Sequence, residues 1–268
     1  MSEPLITQGH MRLKLCRYGP MLYPITDTYV GRSLDHYGEY SWAEGVLFQQ
    51  LVSPDQSIVD AGANIGVHTI HLAKLIGPQG RVFAFEPQRV IFQILCANVA
   101  LNALANVHAK QAALGAEPGI VLVPEVNYGE EGNFGGVALG ECEQGEEVPI
   151  ETIDDMELDA CDLIKVDVEG MESDVMMGAE QTIHRFHPIL YVENNRRDKA
   201  LSLIEQLLML KYRLGWDLPP LFNPRNFFAA TKNIFGETVS HNMLCLPPGD
   251  TRELQGFSEI QSPGDVPW

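Results

Sequence analysis

Apolar and polar positions change period repeatedly along the middle of the chain, which predicts short strands alternating with helices. The clearest case starts at Ser57, where a short apolar run ends in Asp60. Two glycines, Gly62 and Gly66, follow and predict a turn, and residues 67–76 then have the periodicity of a helix. A strand, a glycine turn and a helix bring backbone N–H groups close to a bound ligand.

The same alternation continues to the end of the apolar pattern. Further strands are predicted at 81–85, 107–111, 160–167, 188–193, 212–216 and 242–246, and further helices at 88–101, 172–183 and 200–210. Strands separated by helices pair in parallel through right-handed crossovers. The sequence therefore predicts an α/β fold with a mostly parallel sheet and helices on both faces.

Three regions do not follow this alternation of strands and helices. Residues 1–56 read as an N-terminal extension, with a hairpin from 11–16 and 21–29, a polar turn at 35–40, and a helix at 42–52. Ser41 and Glu44 have the spacing of a capping box for that helix. Residues 115–150 are predicted to form a hairpin inserted into the main domain, which spans 57–247. The proline-rich tail, 248–268, is predicted to be loosely ordered.

Composition narrows the classes of function. The chain has 36 acidic and 18 basic residues, a formal charge of −18, which disfavours binding to nucleic acid. The five cysteines are dispersed without CxxC spacing, so neither a disulfide framework nor a structural zinc site is predicted. The sequence shows no signal-peptide pattern and no run long enough to span a membrane, so we expect a cytoplasmic protein.

Four predicted strands end in an acid: Asp60, Glu86, Asp167 and Glu193. In an open parallel sheet, ligands bind beyond the carboxyl ends of the strands, so these acids are candidates for one site. Glu86 is placed to accept hydrogen bonds from ribose hydroxyls, and Pro87 fixes its turn. Asp60 leads a turn that lacks the GxGxxG spacing of dinucleotide sites and would attract a cationic group, which suits S-adenosylmethionine better than NAD.

Taken together, the motifs resemble those of the FkbM-type S-adenosylmethionine-dependent methyltransferases. The resemblance covers roughly residues 37–193 and is carried by GEY at 38–40 with Glu44, VDAGANIG at 59–66 with His68 and Thr69, FEP at 85–87, NVALN at 98–102, KVDVEGME at 165–172 and PILYVE at 188–193. It implies a Rossmann-like class I sheet of seven strands, the last antiparallel. It also implies methylation of a hydroxyl on a small molecule such as a sugar, glycolipid or natural product.

The resemblance and the strand-end argument together give a set of candidate cofactor-binding residues. These are Tyr37, Asp60, Gly62, Ala63, Asn64, Gly66, His68, Thr69, Glu86, Pro87 and Asp167. Tyr37 is expected to cover the cofactor, and His68 to form a wall of the pocket. Aromatic residues between Trp216 and Phe228 are candidates for the wall of the acceptor pocket.

Methyl transfer to an alcohol requires alignment of the acceptor and removal of its proton. Asp167, Glu169 and Glu193 are the candidate catalytic residues, as base or as anchor for the acceptor. For Glu169, a helix N-terminal acid facing the macrodipole is an equal interpretation. A magnesium site from Asp167, Glu193 and Asn194, similar to that of catechol O-methyltransferase-like enzymes, is an alternative that we do not favour.

Two other classes of function remain open at this stage. One is an S-adenosylmethionine-binding module without catalysis, and the other is an NAD-dependent oxidoreductase, which the missing GxGxxG opposes. The expected partner is a small-molecule acceptor, with no nucleic acid, and a homo-oligomer is compatible with the sequence.

Overall fold

A computed structural model describes residues 3–140, 142–254 and 256–268. Its strands are β1 (Ile6–Gln8), β2 (Met11–Cys16), β3 (Gly19–Pro24), β4 (Ser57–Ala61), β5 (Arg81–Phe85), β6 (Val107–Lys110), β7 (Ala113–Leu114), β8 (Gly119–Val123), β9 (Glu146–Glu151), β10 (Leu163–Val166), β11 (Ile189–Glu193), β12 (Arg213–Asp217), β13 (Asn242–Leu246) and β14 (Ser258–Ile260). Its α-helices are α1 (Val30–Tyr37), α2 (Trp42–Leu51), α3 (Val67–Ile76), α4 (Arg89–Leu101), α5 (Glu172–Met177), α6 (Glu180–Phe186) and α7 (Arg197–Met209).

The central sheet has the strand order β14-β12-β13-β11-β10-β4-β5-β6. The β11-β10-β4-β5-β6 pairings are parallel, whereas β13 runs antiparallel to both of its neighbours. The predicted α/β fold, with the antiparallel last strand of the seven, is therefore confirmed. The C-terminal segment adds an eighth strand, β14, antiparallel to β12, which the prediction of a loosely ordered tail did not anticipate.

Successive side chains of the central strands pack into hydrophobic cores on opposite faces of the sheet. Ile58 and Leu163 pack with α2 and α3, whereas Val59 and Ile164 pack with α5, α6 and α7. Because side chains alternate across a strand, both faces of the sheet must be apolar when helices cover both. This explains the continuous apolar runs from which the strands were predicted.

Helix α1 covers residues 35–37 of the segment 35–40 that was predicted as a polar turn, so that prediction was wrong for these three residues. The Asp27 carboxylate accepts hydrogen bonds from the N–H groups of Tyr29 and Gly31, which stabilises the start of the helix. Val30, Leu34 and Tyr37 are buried on one face at helical spacing.

Two other helices differ in detail from the prediction. The helix predicted at 172–183 is broken into α5 and α6 at Gly178, where a Cβ atom would lie 2.0 Å from the carbonyl oxygen of Gly115. At the start of α2, the Ser41 hydroxyl donates to the carboxylate of Glu44 and makes no capping hydrogen bond to the helix backbone. The capping box predicted there is therefore replaced by a contact between the two side chains.

Glu39 and Tyr37 connect the N-terminal extension to the segment 218–241. The Glu39 carboxylate accepts hydrogen bonds from Arg17 at 2.6 Å, from the Asn223 amide at 2.8 Å and from the backbone N–H of Phe227 at 2.8 Å. The Tyr37 hydroxyl donates to the carbonyl of Lys232 and accepts from the N–H of Ile234. These contacts fix an otherwise irregular segment over the carboxyl edge of the sheet.

The inserted region forms a small sheet of its own. Strand β9 pairs antiparallel with β8 and parallel with β7. The loop between β8 and β9 returns to the N-terminal extension, where Gly132 exchanges backbone hydrogen bonds with Thr26 and Thr28. Among the described residues, no helix is both long and apolar enough to cross a membrane.

The turn after β4 requires glycine at position 62 because β10 lies directly against it. Gly62 has φ +75°, and a Cβ atom there would lie 1.7 Å from the carbonyl oxygen of Asp167. We expect Gly62→Ala to lower the free energy of unfolding by about 3 kcal/mol or more, from left-handed strain and overpacking together. Gly9→Ala is the matched control, because Gly9 has φ +58° and open space around it. Thermal unfolding of the two variants checks this, and equal losses would contradict the steric argument.

Candidate active site

A cavity of about 260 Å³ opens at the carboxyl ends of β4, β10 and β11. Its floor and sides come from the glycine turn, the strand-end acids, the loop between β8 and β9, and the segment after β12. The lining residues are Tyr29, Val30, Tyr40, Gly62, Ala63, Asn64, Val67, His68, Glu86, Asn133, Gly135, Lys165, Asp167, Glu169, Glu193, Asn195, Leu221, Thr238, Val239, Ser240 and His241.

A second cavity of about 40 Å³ shares Gly62, Glu86, Gly135, Asp167 and Glu169 with the first. Its remaining lining is mostly apolar and includes Phe85, Pro87, Ala112, Ala113, Leu114, Val137, Leu139, Val168 and Met171. A polar cavity and an apolar slot therefore meet at Glu86.

The glycine turn is held against β5 by its own backbone. The N–H groups of Gly62 and Ala63 both donate to the carbonyl of Phe85, at 3.0 and 2.9 Å. Asn64 has φ +51° and Gly66 has φ +89°, so the chain reverses sharply before α3. Gly62, Ala63 and Asn64 line the cavity, whereas Gly66 faces Leu95, which a Cβ atom there would meet at 2.6 Å.

Asp60 lies beneath this turn and is fully buried. Its carboxylate pairs with the ammonium of Lys165 at 3.1 Å and accepts the Thr69 hydroxyl at 2.7 Å. Lys165 also donates to the carbonyl of Gly62 at 3.2 Å. The cationic partner expected for Asp60 is thus supplied by the protein itself, and neither Asp60 nor Thr69 lines the cavity.

Glu86 lies where the two cavities meet, with 4% of its surface exposed. Its carboxylate accepts the backbone N–H of Asn64 at 3.0 Å and that of Gln88 at 2.8 Å. Burial raises the pKa of the Glu86 carboxyl to about 7, although these two N–H groups act in the opposite direction. The side chain is therefore held in one orientation, with lone pairs left for a ligand.

Carboxylate oxygens of Asp167, Glu169 and Glu193 lie within 4.8 Å of one another in the described part of the chain. Burial, Asp167 and Glu169 raise the pKa of Glu193 well above its ordinary value. Burial and Asp167 also raise the pKa of Glu169 to about 7. Because like charges this close cannot all ionise easily, the cluster holds at least one proton near neutral pH.

Asn194 does not join this cluster, in contrast to the magnesium alternative considered from the sequence. It is 2% exposed, and its amide donates toward the sulfur of Met243 at 3.5 Å. Glu193 is the last residue of β11 and lines the cavity, whereas Asn194, the next residue, does not. The third carboxylate beside Asp167 and Glu193 is Glu169, which follows β10 with φ +55°.

The aromatic residues expected around the acceptor lie outside the cavity lining. Trp216 donates its indole N–H to the carbonyl of Asp265 and packs against Trp268. Phe222 packs on Tyr37, and Phe227 lies against Phe228. Tyr37 itself is 1% exposed and anchors the segment 218–241, so it does not reach the cavity.

Several residues that line the cavity were not singled out from the sequence. Lys165 sits inside an apolar strand, where an isolated lysine was a signal that its charge must be paired. Tyr40 lies within the GEY motif, and Gly135 belongs to the glycine-rich stretch 132–136, in which Asn133 was considered as an acceptor contact. Residues 238–240 carried no recognisable signal.

The acid cluster predicts a specific dependence of stability on pH. Glu193 ionises near pH 4.5 in an unfolded chain, but its folded-state pKa is well above that value. The folded state therefore binds more protons than the unfolded state above pH 4.5, and the stability contribution falls as pH rises. We expect Glu193→Gln to raise the unfolding temperature at pH 8, by about 2–4 °C for each kcal/mol gained, and the difference to shrink toward pH 5.

The exposed Glu205 on α7 provides the control, since Glu205→Gln should change little at either pH. Thermal unfolding followed by circular dichroism at both pH values makes the comparison. A Glu193→Gln variant that is less stable than the wild-type protein at pH 8 would contradict the electrostatic interpretation.

Comparison with known proteins agrees with the resemblance found from the motifs. The family model described as the methyltransferase FkbM domain matches residues 60–214. Methyltransferase sdnD of Sordaria araneosa is 33% identical over 157 residues, 46% of this chain and 60% of that protein. Methyltransferase 1 of Beauveria bassiana is 31% identical over 150 residues, 47% of this chain and again 60% of the relative. The chain thus matches about three fifths of the length of these relatives.

Solved structures of methyltransferases are similar at lower identity. The FkbM methyltransferase of Methylobacillus flagellatus has a TM-score of 0.47 and 18% identity, covering 76% of this chain and 50% of that one. The O-methyltransferase TomG of Streptomyces achromogenes, solved with S-adenosylmethionine, has a TM-score of 0.47 and 14% identity, covering 77% of this chain and 80% of that one. Since the family model matches more than half of the described sequence, the chain belongs to the FkbM methyltransferase domain family.

Proposed function

We propose that this protein transfers a methyl group from S-adenosylmethionine to a hydroxyl group of a small molecule. The observation that carries the proposal is Glu86, a buried carboxylate held by two backbone N–H groups where a polar cavity meets an apolar slot. Membership of the FkbM family supports methyl transfer as the reaction class.

The nucleoside half of the cofactor fits the chemistry around Glu86. A ribose diol donates two hydrogen bonds, and the fixed carboxylate of Glu86 is suited to accept them. The apolar slot beside it, with Ala112, Leu114 and Met171, suits the flat faces of an adenine ring. Gly62 and Asn64 leave room for the ligand because the turn carries no bulky side chain toward the cavity.

S-adenosylmethionine supplies an electrophilic methyl group on a positively charged sulfur. The contribution of the protein is to align the acceptor oxygen with that methyl group, to exclude water and to remove the hydroxyl proton. Asp167, Glu169 and Glu193 are our candidates for these last tasks. Since burial and the neighbouring acids raise the pKa of Glu193 well above its ordinary value, Glu193 is suited to donate a hydrogen bond to the neighbouring Asp167, and we assign Asp167 the role of proton acceptor.

The acceptor side of the cavity has a different character from the nucleoside side. Leu221 and residues 238–241 line it from the segment that Glu39 and Tyr37 anchor, and Tyr29 and Asn133 lie at other positions of the lining. Hydroxyl, amide and ring groups of this kind suit a polar, uncharged acceptor such as a polyol. The acids of the cluster disfavour an acceptor that carries a phosphate or carboxylate near the reacting hydroxyl.

The ribose contact predicts a ligand preference that depends on Glu86. Wild-type protein should bind adenosine more tightly than 2′,3′-dideoxyadenosine, and the preference should grow as pH rises through about 7, where the Glu86 carboxyl ionises. In Glu86→Gln the preference should fall by about tenfold, the usual worth of a hydrogen bond to a charged group. Calorimetric titrations of both nucleosides measure it. A variant that keeps the full preference would show that the ribose lies elsewhere.

The reaction itself is tested by following conversion of S-adenosylmethionine to S-adenosylhomocysteine with a library of hydroxylated small molecules. We expect turnover with at least one polyol or natural product, and we expect turnover to persist in excess EDTA because the reaction as proposed needs no metal. Asp167→Asn should reduce the rate by about 100-fold or more, as removal of a general base does.

Cofactor binding without turnover on any acceptor would instead indicate a non-catalytic binding module. Loss of turnover in EDTA, with recovery on adding magnesium, would indicate a metal held by Asp167, Glu169 and Glu193.

A further inference from the structure

A buried pair of side chains, Glu44 and His68, lies beside the cavity and has no role in the mechanism described so far. The Nε2 atom of His68 is 3.3 Å from Oε2 of Glu44, and Oε1 of Glu44 accepts the hydroxyl of Ser41. Phe48 packs edge-on against the imidazole ring, with centroids 5.3 Å apart. The ring is thus held in one orientation by a carboxylate on one side and an aromatic ring on another.

The charge of Glu44 decides which nitrogen of His68 carries the proton. Burial alone would raise the pKa of Glu44, but the hydrogen bond and charge interaction with His68, the hydroxyl of Ser41 and the nearby ammonium of Lys165 bring the pKa below its ordinary value. An ionised carboxylate accepts hydrogen bonds only, so Nε2 of His68 must be the donor. In a neutral ring this leaves Nδ1 as an acceptor.

Nδ1 of His68 has no hydrogen-bond partner among the described residues, although it is buried and His68 is only 8% exposed. A buried acceptor without a partner costs free energy, so such atoms usually mark a place that a ligand or a water completes. His68 lines the large cavity and is the second residue of α3, directly after the glycine turn. Its position, therefore, is beside the turn proposed to hold the cofactor.

The amino group of the cofactor needs a partner that Asp60 does not provide. Asp60 is occupied by Lys165 and Thr69 beneath the turn. Glu44 brings a second negative charge to this region. Lys165 lies near enough to act on that charge, but its ammonium is paired with Asp60, and no arginine or lysine of the described residues forms an ion pair with Glu44. An ammonium beside His68 would satisfy Nδ1 and lie close to the charge of Glu44.

We propose that His68, oriented by Glu44, binds the amino group of the methionine portion of S-adenosylmethionine through Nδ1. This inference rests on the proposed function, since it assigns one end of the same ligand. The hydrogen bond between Nδ1 of His68 and the amino group forms when the ligand binds, since polar contacts of binding sites commonly tighten in the complex. Glu44 and His68 bind and orient the methionine portion of the cofactor, and they take no part in making or breaking covalent bonds.

The test compares S-adenosylhomocysteine, which carries the amino acid group, with 5′-methylthioadenosine, which lacks it. In the wild-type protein we expect the first to bind at least about tenfold more tightly than the second. His68→Leu should abolish most of that ratio while leaving the affinity for 5′-methylthioadenosine within about twofold. His68→Asn should restore part of the ratio, because its amide oxygen lies near the position of Nδ1. Glu44→Gln should reduce the ratio by removing the charge.

His71→Leu is the matched control for loss of a buried histidine in the same helix. His71 is 4% exposed and bonds the carbonyl of Gly45 at 3.0 Å, and it does not line the cavity. This variant should lower the unfolding temperature without changing the ratio of the two affinities.

The outcomes separate the inference from the proposed function. An unchanged ratio in His68→Leu, or equal weakening of both ligands, overturns the role of His68 while the nucleoside site stands. Wild-type protein that binds 5′-methylthioadenosine as tightly as S-adenosylhomocysteine also overturns it. Wild-type protein that binds neither ligand overturns the proposed function together with the inference.

Discussion

The buried ion pair between Lys165 and Asp60 joins the two strands on which the candidate site depends. The register of the sheet places the two residues as direct neighbours on β10 and β4. Burial would lower the pKa of Lys165, but Asp60 and Asp167 outweigh it, so the pKa is raised and the ammonium stays charged. A buried charge is tolerated only when its partner is in place, and removing one partner of such a pair typically costs about 3–5 kcal/mol. The pair therefore fixes the register of β10 against β4. This register sets the distance between the glycine turn and Asp167.

This ion pair also changes how the remaining acids are to be understood. Because Asp60 and Lys165 compensate each other, the cavity above them is dominated by Glu86, Asp167, Glu169 and Glu193. Burial and mutual repulsion keep part of this group protonated near neutral pH. The acids consequently differ in role despite being similar in type: one is a fixed acceptor beside the apolar slot, and the others form a proton-sharing cluster.

The sheet was predictable because each central strand is an apolar run with a polar end, a pattern that depends on the chain alone. The strand-end acids were predicted for the same reason, and three of the four line the cavity. The partner of Asp60 was not predictable, because it depends on the register between strands that are about a hundred residues apart. The inclusion of Asn194 in the magnesium alternative was avoidable, since adjacent residues of an extended chain point their side chains in opposite directions, which separates Asn194 from Glu193. Tyr37 belongs to α1, a helix that the sequence analysis missed. Its apolar residues have helical spacing, but Asp35 and His36 led to the prediction of a polar turn there.

The contacts of Glu39 with Asn223 and Phe227 have a consequence for the order in which the molecule assembles. These hydrogen bonds join residues that are 184 and 188 positions apart, so they form only after nearly the whole chain has been brought together. Closing so long a loop is slow relative to the local pairing of β4 with β5 through α3. We therefore expect the part of the site around the glycine turn and Glu86 to form early during folding, and the wall lined by Leu221 and residues 238–241 to form last. A newly made chain would in that case carry the pocket around Glu86 before it acquires the opposite wall of the cavity.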